Sequence, residues 1–368
     1  MEDNNKELCR VPRPLTQNQN FELVEKLYSL GGSVAFDLIV YLSNLKMKDL
    51  FGESWFSIHD FCDCMGYSRF QLQKRMSKED ILAVFGEERP KYLYTNNEGK
   101  VLEHPIETWF ECALFKLGQE NITLLSKENG TSCFKFVQLI TKFEIKTNFD
   151  LKKKTKRLYK AELNTELKEC LFRNYNLVEL RDYKQIPNRT GYRYFYLLLC
   201  SMIPSIIHKK QNNLDPSFTM TVDQLCNVFK IEASRPNNKK IKIERILSKL
   251  SEDFTQTKFQ YSFVRGENQK YAYTVKFEFA DETIAYFDEK KKAIFLALFR
   301  DRLIHTYIDI MNGGANKIYV GRGVLAEKIR NDNSENKKFM NWFHSDQNKA
   351  EKDKEYNRAH FEVFGEAL

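Results

Sequence analysis

RPNNKKIKIERILSKL, residues 235–250, leads through SEDFTQT into two alternating runs, KFQYSFV (258–264) and KYAYTVKFEF (270–279), parted by a turn at Gly266. The first stretch has apolar residues at helical spacing and lysines between them. The two runs alternate with period two and are rich in aromatic and β-branched residues, so they predict a strand pair. Just upstream, FTMTVDQLCNVF (218–229) has a Thr221 cap with Asp223 and Gln224 in the first turn, so it predicts a support helix. Support helix, basic helix, strand, turn, strand is the order of a winged helix. One carrying this much Lys and Arg is suited to phosphate.

Within the basic helix Ile243, Ile246, Leu247 and Leu250 form the stripe expected to be buried. Lys242, Arg245 and Lys249 then share an outward side at spacings of three and four. Arg235, Asn237 and Asn238 stand at the helix start, followed by Lys239 and Lys240. Arg can pair with guanine O6 and N7, and Asn with adenine N6 and N7, whereas mid-helix cations meet phosphate.

The first half has a similar rhythm. FELVEKLYSL and SVAFDLIVYLSNLKM predict two helices broken at Gly31 and Gly32. In WFSIHDFCDCMGYSRFQLQKRMS, Ser57 can cap one helix, Gly66 allows a turn, and Ser68 can cap a second. That second helix would carry Ser68, Arg69, Gln71, Gln73, Lys74 and Arg75 as a less basic reading element. Ser77 and Asp80 open another helical piece, 89–104 looks irregular, and 106–118 is an amphipathic helix. Asn129-Gly130 between NITLLSK and SCFKFVQLITKFEI is a strong hairpin signal. Lys127 and Lys135 on that hairpin, and Arg265 and Lys270 on the later one, are candidate wing contacts. The tract Lys152, Lys153, Lys154, Lys156 and Arg157 is either an interdomain phosphate contact or a solvated linker.

The expected architecture is therefore α+β and mostly helical. It comprises a flexible arm (1–18), a first winged-helix domain (19–148), a basic linker (149–162), a second winged-helix domain (163–280) and a helical C-terminal extension (281–368) whose charged tail is poorly ordered at its end. The pseudo-repetition lies in element order, since the two copies differ residue by residue.

Composition bounds the function. The 368 residues carry a formal net charge of +8, and the excess is local, at 146–160 and 235–249, which matters more for nucleic acid than the total. The eight cysteines are dispersed, which fits a reducing cytoplasm. Cys62 and Cys64 after His59 make a poor zinc pattern, and read better as small residues within a helix. The polar N-terminus has no secretory pattern. The longest apolar run, YFYLLLCSMIPSII (194–207), is too short to span a bilayer and contains Pro204. A P-loop and a His-x-His pair are both absent from the sequence, so the chain reads as no enzyme and needs no cofactor or metal. The run Asp281…Glu289-Lys290-Lys291 has the outline of a nuclease site, but helix capping and solvated lysines explain it as well.

Two winged helices in tandem, joined by a basic connection, resemble the RepB-like plasmid replication initiators. In the second unit the likeness rests on RYFYLLLCSM, then MTVDQLCNVF, then KKIKIERILSKLSEDF running into YTVKFEF. In the first, FCDCMGYSRFQLQKRMS followed by HPIETWFECALFKLG is similar to initiators of Bacteroidetes-type plasmids and mobile elements. The resemblance covers about residues 20–280, with a longer interval before the first hairpin than that family has. It implies a cytoplasmic protein that binds double-stranded origin repeats, opens the DNA, and recruits host helicase or initiator proteins. It also implies a family that switches between homodimer and monomer. A transcription or excision regulator would use the same fold, and a nuclease or a DNA-binding subunit of a larger nucleoprotein complex is the third reading.

Overall fold

The structure, a computed structural model, describes residues 8–16, 33–45, 55–86, 91–95, 100–106, 108–119, 121–128, 131–148, 156–173, 175–265, 273–312 and 321–364. It is α+β and mostly helical, with small antiparallel sheets. The chain divides into two units, Met1–Leu171 with Tyr175–Ile284, and Phe172–Asn174 with Ala285–Leu368.

The larger unit begins with Leu8–Pro12 (β1), which pairs antiparallel with Tyr175–Glu179, Leu8 opposite Glu179 and Pro12 opposite Tyr175. Cys9, Val11 and Leu15 are buried, and Asn176 donates to Thr16 Oγ1 at 2.6 Å. The flexible arm expected over 1–18 is thus corrected for residues 8–16. The alternation of LCRVP supplies an inward face that burial against a distant strand satisfies. A helix over 33–45 (α1) follows, buried along most of its length.

Ile58–Met65 (α2) opens with the expected box: Ser57 accepts from the Asp60 amide, and Asp60 accepts from the Ser57 amide. It stops at Gly66, whose φ of +72° is the left-handed region. A Cβ there would lie 2.8 Å from the Lys184 carbonyl oxygen, so the turn needs glycine twice over. Arg69–Leu72 (α3) is a single turn, and Lys78–Phe85 (α4) starts at the Ser77–Asp80 box. The supposedly irregular 89–104 holds a hairpin, Lys91–Thr95 (β2) with Val101–Pro105 (β3). Trp109–Gln119 (α5) is followed by Asn121–Glu128 (β4) paired with Thr131–Gln138 (β5), as the sequence predicts, although Asn129-Gly130 itself lies outside the described residues. The long second run breaks at Leu139, and Ile140–Asn148 (β6) pairs instead with Lys156–Leu163 (β7). The basic linker expected over 149–162 is therefore corrected from 156 onward: Tyr159 and Leu163 of KRLYKAEL are buried, which makes it a strand. Tyr159 packs on Phe110 with ring centroids 5.2 Å apart, and Phe110 on Phe61 at the same separation.

Thr165–Arg173 (α6), Tyr175–Glu179 (β8) and Leu180–Gln185 (α7) lead to Tyr192–Gln211 (α8), whose N-terminal residues 192–200 are all buried. Its Arg193 carries a buried network. The guanidinium pairs with Asp37 of α1, donates to the Met65 carbonyl at 2.9 Å, and lies over the rings of Tyr67 and Tyr183. Tyr183 donates to Asp37 at 2.5 Å and Tyr67 donates to the same carboxylate. Burial pushes the Asp37 carboxyl up, against the pull of Arg193. One charge pair thus ties α1, the α2–α3 turn, α7 and α8 together.

Ser217–Thr221 (β9), Val222–Phe229 (α9), Pro236–Asp253 (α10), Phe259–Arg265 (β10) and Tyr273–Phe279 (β11) complete this unit. The sheet order is β10-β11-β9, antiparallel throughout, with Arg265 opposite Tyr273 and Thr274 opposite Thr221. β9 was not expected. SFTMT is short and mostly polar, and only its pairing with β11 identifies it as a strand.

The second unit is helical: α11 (Asp281–Met311) runs into it, followed by Arg322–Asn331 (α12), Asn333–His344 (α13) and Lys349–Phe364 (α14). Leu303, Ile304, Tyr307 and Ile308 pack with Ala326, Ile329 and Phe339, while Phe295 packs with Ala359 and Val363. The charged tail is a helix through Phe364, and its end, 365–368, expected to be poorly ordered, lies outside the described residues. Its charges pair, Glu355 accepting from Arg302 and Arg358. Among the described residues no helix is long and apolar enough to cross a membrane.

Candidate nucleic-acid interface

α10 is held from three sides. Ile243, Leu247 and Leu250 are fully buried, each worth about 1.5–3 kcal/mol of apolar burial, and α10 packs against α9 and β10. α9 is fixed by the Thr221–Gln224 box at its start and by Lys230 in the left-handed region (φ 52°) at its end. Pro236 in the first turn presets the helical φ where its missing N–H costs nothing. At the other end buried Asp182 accepts from the amides of Thr255 (2.9 Å), Gln256 (3.0 Å) and Thr257 (2.7 Å), which sets the exit into β10.

The stripe is nearly as expected, with Ile246 only half-buried. The cations on the other side divide into two classes. Lys239 donates to Asp223 at 2.6 Å, which holds it above the ordinary lysine range. Lys240 lies over the rings of Phe263 (4.9 Å) and Tyr273 (5.1 Å), so it fastens α10 to the hairpin. Lys242 is exposed and donates to the Glu232 carbonyl at 3.2 Å. Arg235, Arg245 and Lys249 are exposed and meet no acid among the described residues, and Asn237 and Asn238 are exposed beside them. Arg265 ends β10, exposed, with its guanidinium over Tyr273 at 5.8 Å. Lys270 lies outside the described residues.

The candidate residues around α2 and α3 are less well organised. Ser68 precedes α3 without a side-chain capping bond, and Arg69 is exposed beside His59. Gln71 lies in the single turn of α3. The reading helix expected to continue through Gln73, Lys74 and Arg75 is corrected: α3 ends at Leu72. Arg75 instead bridges backbone-to-backbone with Thr108, and Met76 turns into the core before Ser77 restarts a helix. Lys74 and Arg75 remain exposed, on an irregular segment. Lys127 and Lys135 lie on β4 and β5. Lys152, Lys153 and Lys154 lie outside the described residues. Lys156 opens β7. Arg157, read as either a phosphate contact or part of a solvated linker, is bound to buried Glu111 at 2.6 Å, which also accepts from Tyr159 at 3.0 Å. A buried carboxylate holds its counter-charge firmly, so Arg157 is withdrawn from the interface.

The Cys62/Cys64 pair is helical. Cys62 is buried, which pushes its thiol up to about 11, and His59 faces Asp63 at 2.9 Å. Asp281 pairs with Lys210, and Asp288 with Lys292. Two features of the α10 face escaped the sequence reading: Asp223 as a competitor for Lys239, and Ile241, 46% exposed among the cations. The second was open to a helical projection, since Ile241 falls about 160° from Ile243 at 100° per residue.

No family model matches the chain, and no curated protein matches it in sequence.

Proposed function

We propose that this chain is a sequence-specific double-stranded DNA-binding protein. On this reading residues 217–279 form a winged helix with α10 as recognition helix and the β10–β11 tip as wing. One observation carries it: opposite its buried stripe, α10 presents Arg235, Asn237, Asn238, Arg245 and Lys249 to solvent with no acid set against them among the described residues. The N-terminal half of the helix then enters the major groove, where its asparagines and Arg235 face base edges. Arg245, Lys249 and Lys242 flank toward phosphate.

We propose further that the protein initiates replication of a plasmid or mobile element by binding repeated origin sites, with host helicase or initiator proteins as partners. Supporting this is the order of elements it has in common with RepB-like initiators. The test is selection from a random duplex library, then footprinting of the winning sequence on the DNA flanking the gene. Repeated protected sites whose deletion abolishes maintenance of a linked marker are expected. A single protected site over a promoter, with maintenance unaffected, would instead favour a regulator. Failure to enrich any duplex would refute the DNA-binding reading.

A further inference from the structure

Of the five large apolar residues of α10, only Ile241 is exposed. It is 46% exposed, four residues before exposed Arg245 and three after exposed Asn238, on the face of α10 opposite Ile243 and Leu250. Its neighbours one turn away are Asn237 and Asn238 before it and Glu244 and Arg245 after it. Lys242 and Lys249 lie farther round on the Arg245 side. Glu244, the single carboxylate of residues 235–245, lies on the opposite flank. This branched apolar group thus stands on an exposed face among two amides, a guanidinium and one carboxylate. It matches one surface: in the major groove each thymine projects a 5-methyl group between the hydrogen-bonding edges of its neighbours, with phosphates on either side.

We infer that Ile241 reads a thymine methyl group, making it a specificity determinant for B-form DNA containing a thymine at one fixed position of the site. The inference rests on the proposed role of α10. Apolar contact with a methyl needs no directional partner, so it fits between the hydrogen-bonding Asn238 and Arg245 without competing with either. It also excludes an RNA duplex, whose uracils lack the methyl and whose major groove is too narrow to admit the helix.

The experiment replaces each thymine of the selected duplex singly with deoxyuridine, which removes one methyl and nothing else. Affinity is measured for the wild-type chain and for Ile241→Ala. At one position uracil should weaken the wild type about fourfold, the worth of one buried methyl group. The same replacement should leave Ile241→Ala unchanged, and Ile241→Ala on the thymine duplex should match the wild type on the uracil duplex. The wild-type scan needs no variant, so it stands even if Ile241→Ala folds poorly. Uracil tolerated at every position, or a penalty that persists in Ile241→Ala, would overturn the inference while leaving α10 as a DNA-binding helix. A chain that enriches no duplex at all would overturn both.

Discussion

The two consecutive helix pairs of this chain, α2–α3 and α9–α10, begin alike and end differently. Both open with a capping box, Ser57–Asp60 or Thr221–Gln224, and both bury the first helix. After the turn they diverge. α10 runs for 18 residues over a three-stranded sheet, while α3 stops after 4. The cause is local. Pro236 starts α10 and no competing cap interrupts it before Asp182 captures its exit. Beyond α3, Met76 turns inward and the Ser77–Asp80 box restarts the chain in a new direction. The shared sequence rhythm therefore specifies the first helix of each pair better than the second. Only the second segment has both a long exposed face and a sheet to brace it.

The comparison can be broken most forcefully at Arg193, which binds the first segment's turn through Met65 and Tyr67 and belongs to the helix that precedes the second. Arg193→Leu leaves Asp37 buried without its counter-charge and should cost about 3–5 kcal/mol in urea denaturation. A loss below about 1 kcal/mol would mean that the two segments do not depend on this network. Next comes DNA affinity. Removing Arg235, Arg245 and Lys249 together should weaken duplex binding roughly 150- to 2,000-fold, at about 1–1.5 kcal/mol per lost charge-assisted contact. Removing Arg69, Lys74 and Arg75 should cost less than about fivefold. Equal losses in filter binding would restore the first segment as an equal reader.

These unequal expectations were only partly visible in the sequence. The α10 stripe, the support-helix cap, the β10–β11 and β4–β5 strands and the cationic helix face were legible, because period and capping chemistry act locally. β9, β1 and β7 were not. β9 and β1 are short strands whose identity comes from partners far along the chain, β7 pairs with β6 just before it, and β1 and β7 fell in segments whose proline and lysine content suggested an arm and a linker. The site was legible by residue type but not by pairing. That Lys239, Lys240 and Arg157 are already engaged by Asp223, by two rings and by Glu111 depends on tertiary placement alone.

Smaller effects sharpen the contrast. Each segment is met by one left-handed glycine, Gly66 ending α2 and Gly191 opening α8 against α9, but a Cβ on Gly191 would fall 2.0 Å from the Val228 carbonyl oxygen, against 2.8 Å from that of Lys184 for Gly66. Gly191→Ala should therefore destabilise by more than about 2 kcal/mol and Gly66→Ala by about 1–2 kcal/mol, read as thermal shifts. The reverse order would place the tighter junction at the first segment. Smallest, and opposite in sign, is Asp223→Ala. It releases Lys239 toward phosphate and removes a nearby negative charge, so affinity for any duplex should rise about two- to fivefold at low salt and converge with wild type as salt increases. Lower affinity would show that the Asp223–Lys239 pair positions the reading helix.

The most direct test is the KCl dependence of duplex affinity for the wild type and for the variant lacking Arg235, Arg245 and Lys249. If the exposed cations of α10 and the wing meet phosphate, the wild-type log–log slope is steeper than about −4, and it shrinks by about 2–3 in the variant through lost counterion release. A nearly flat wild-type slope, or one that the triple substitution leaves unchanged, would contradict the assignment of α10 as the DNA-reading helix.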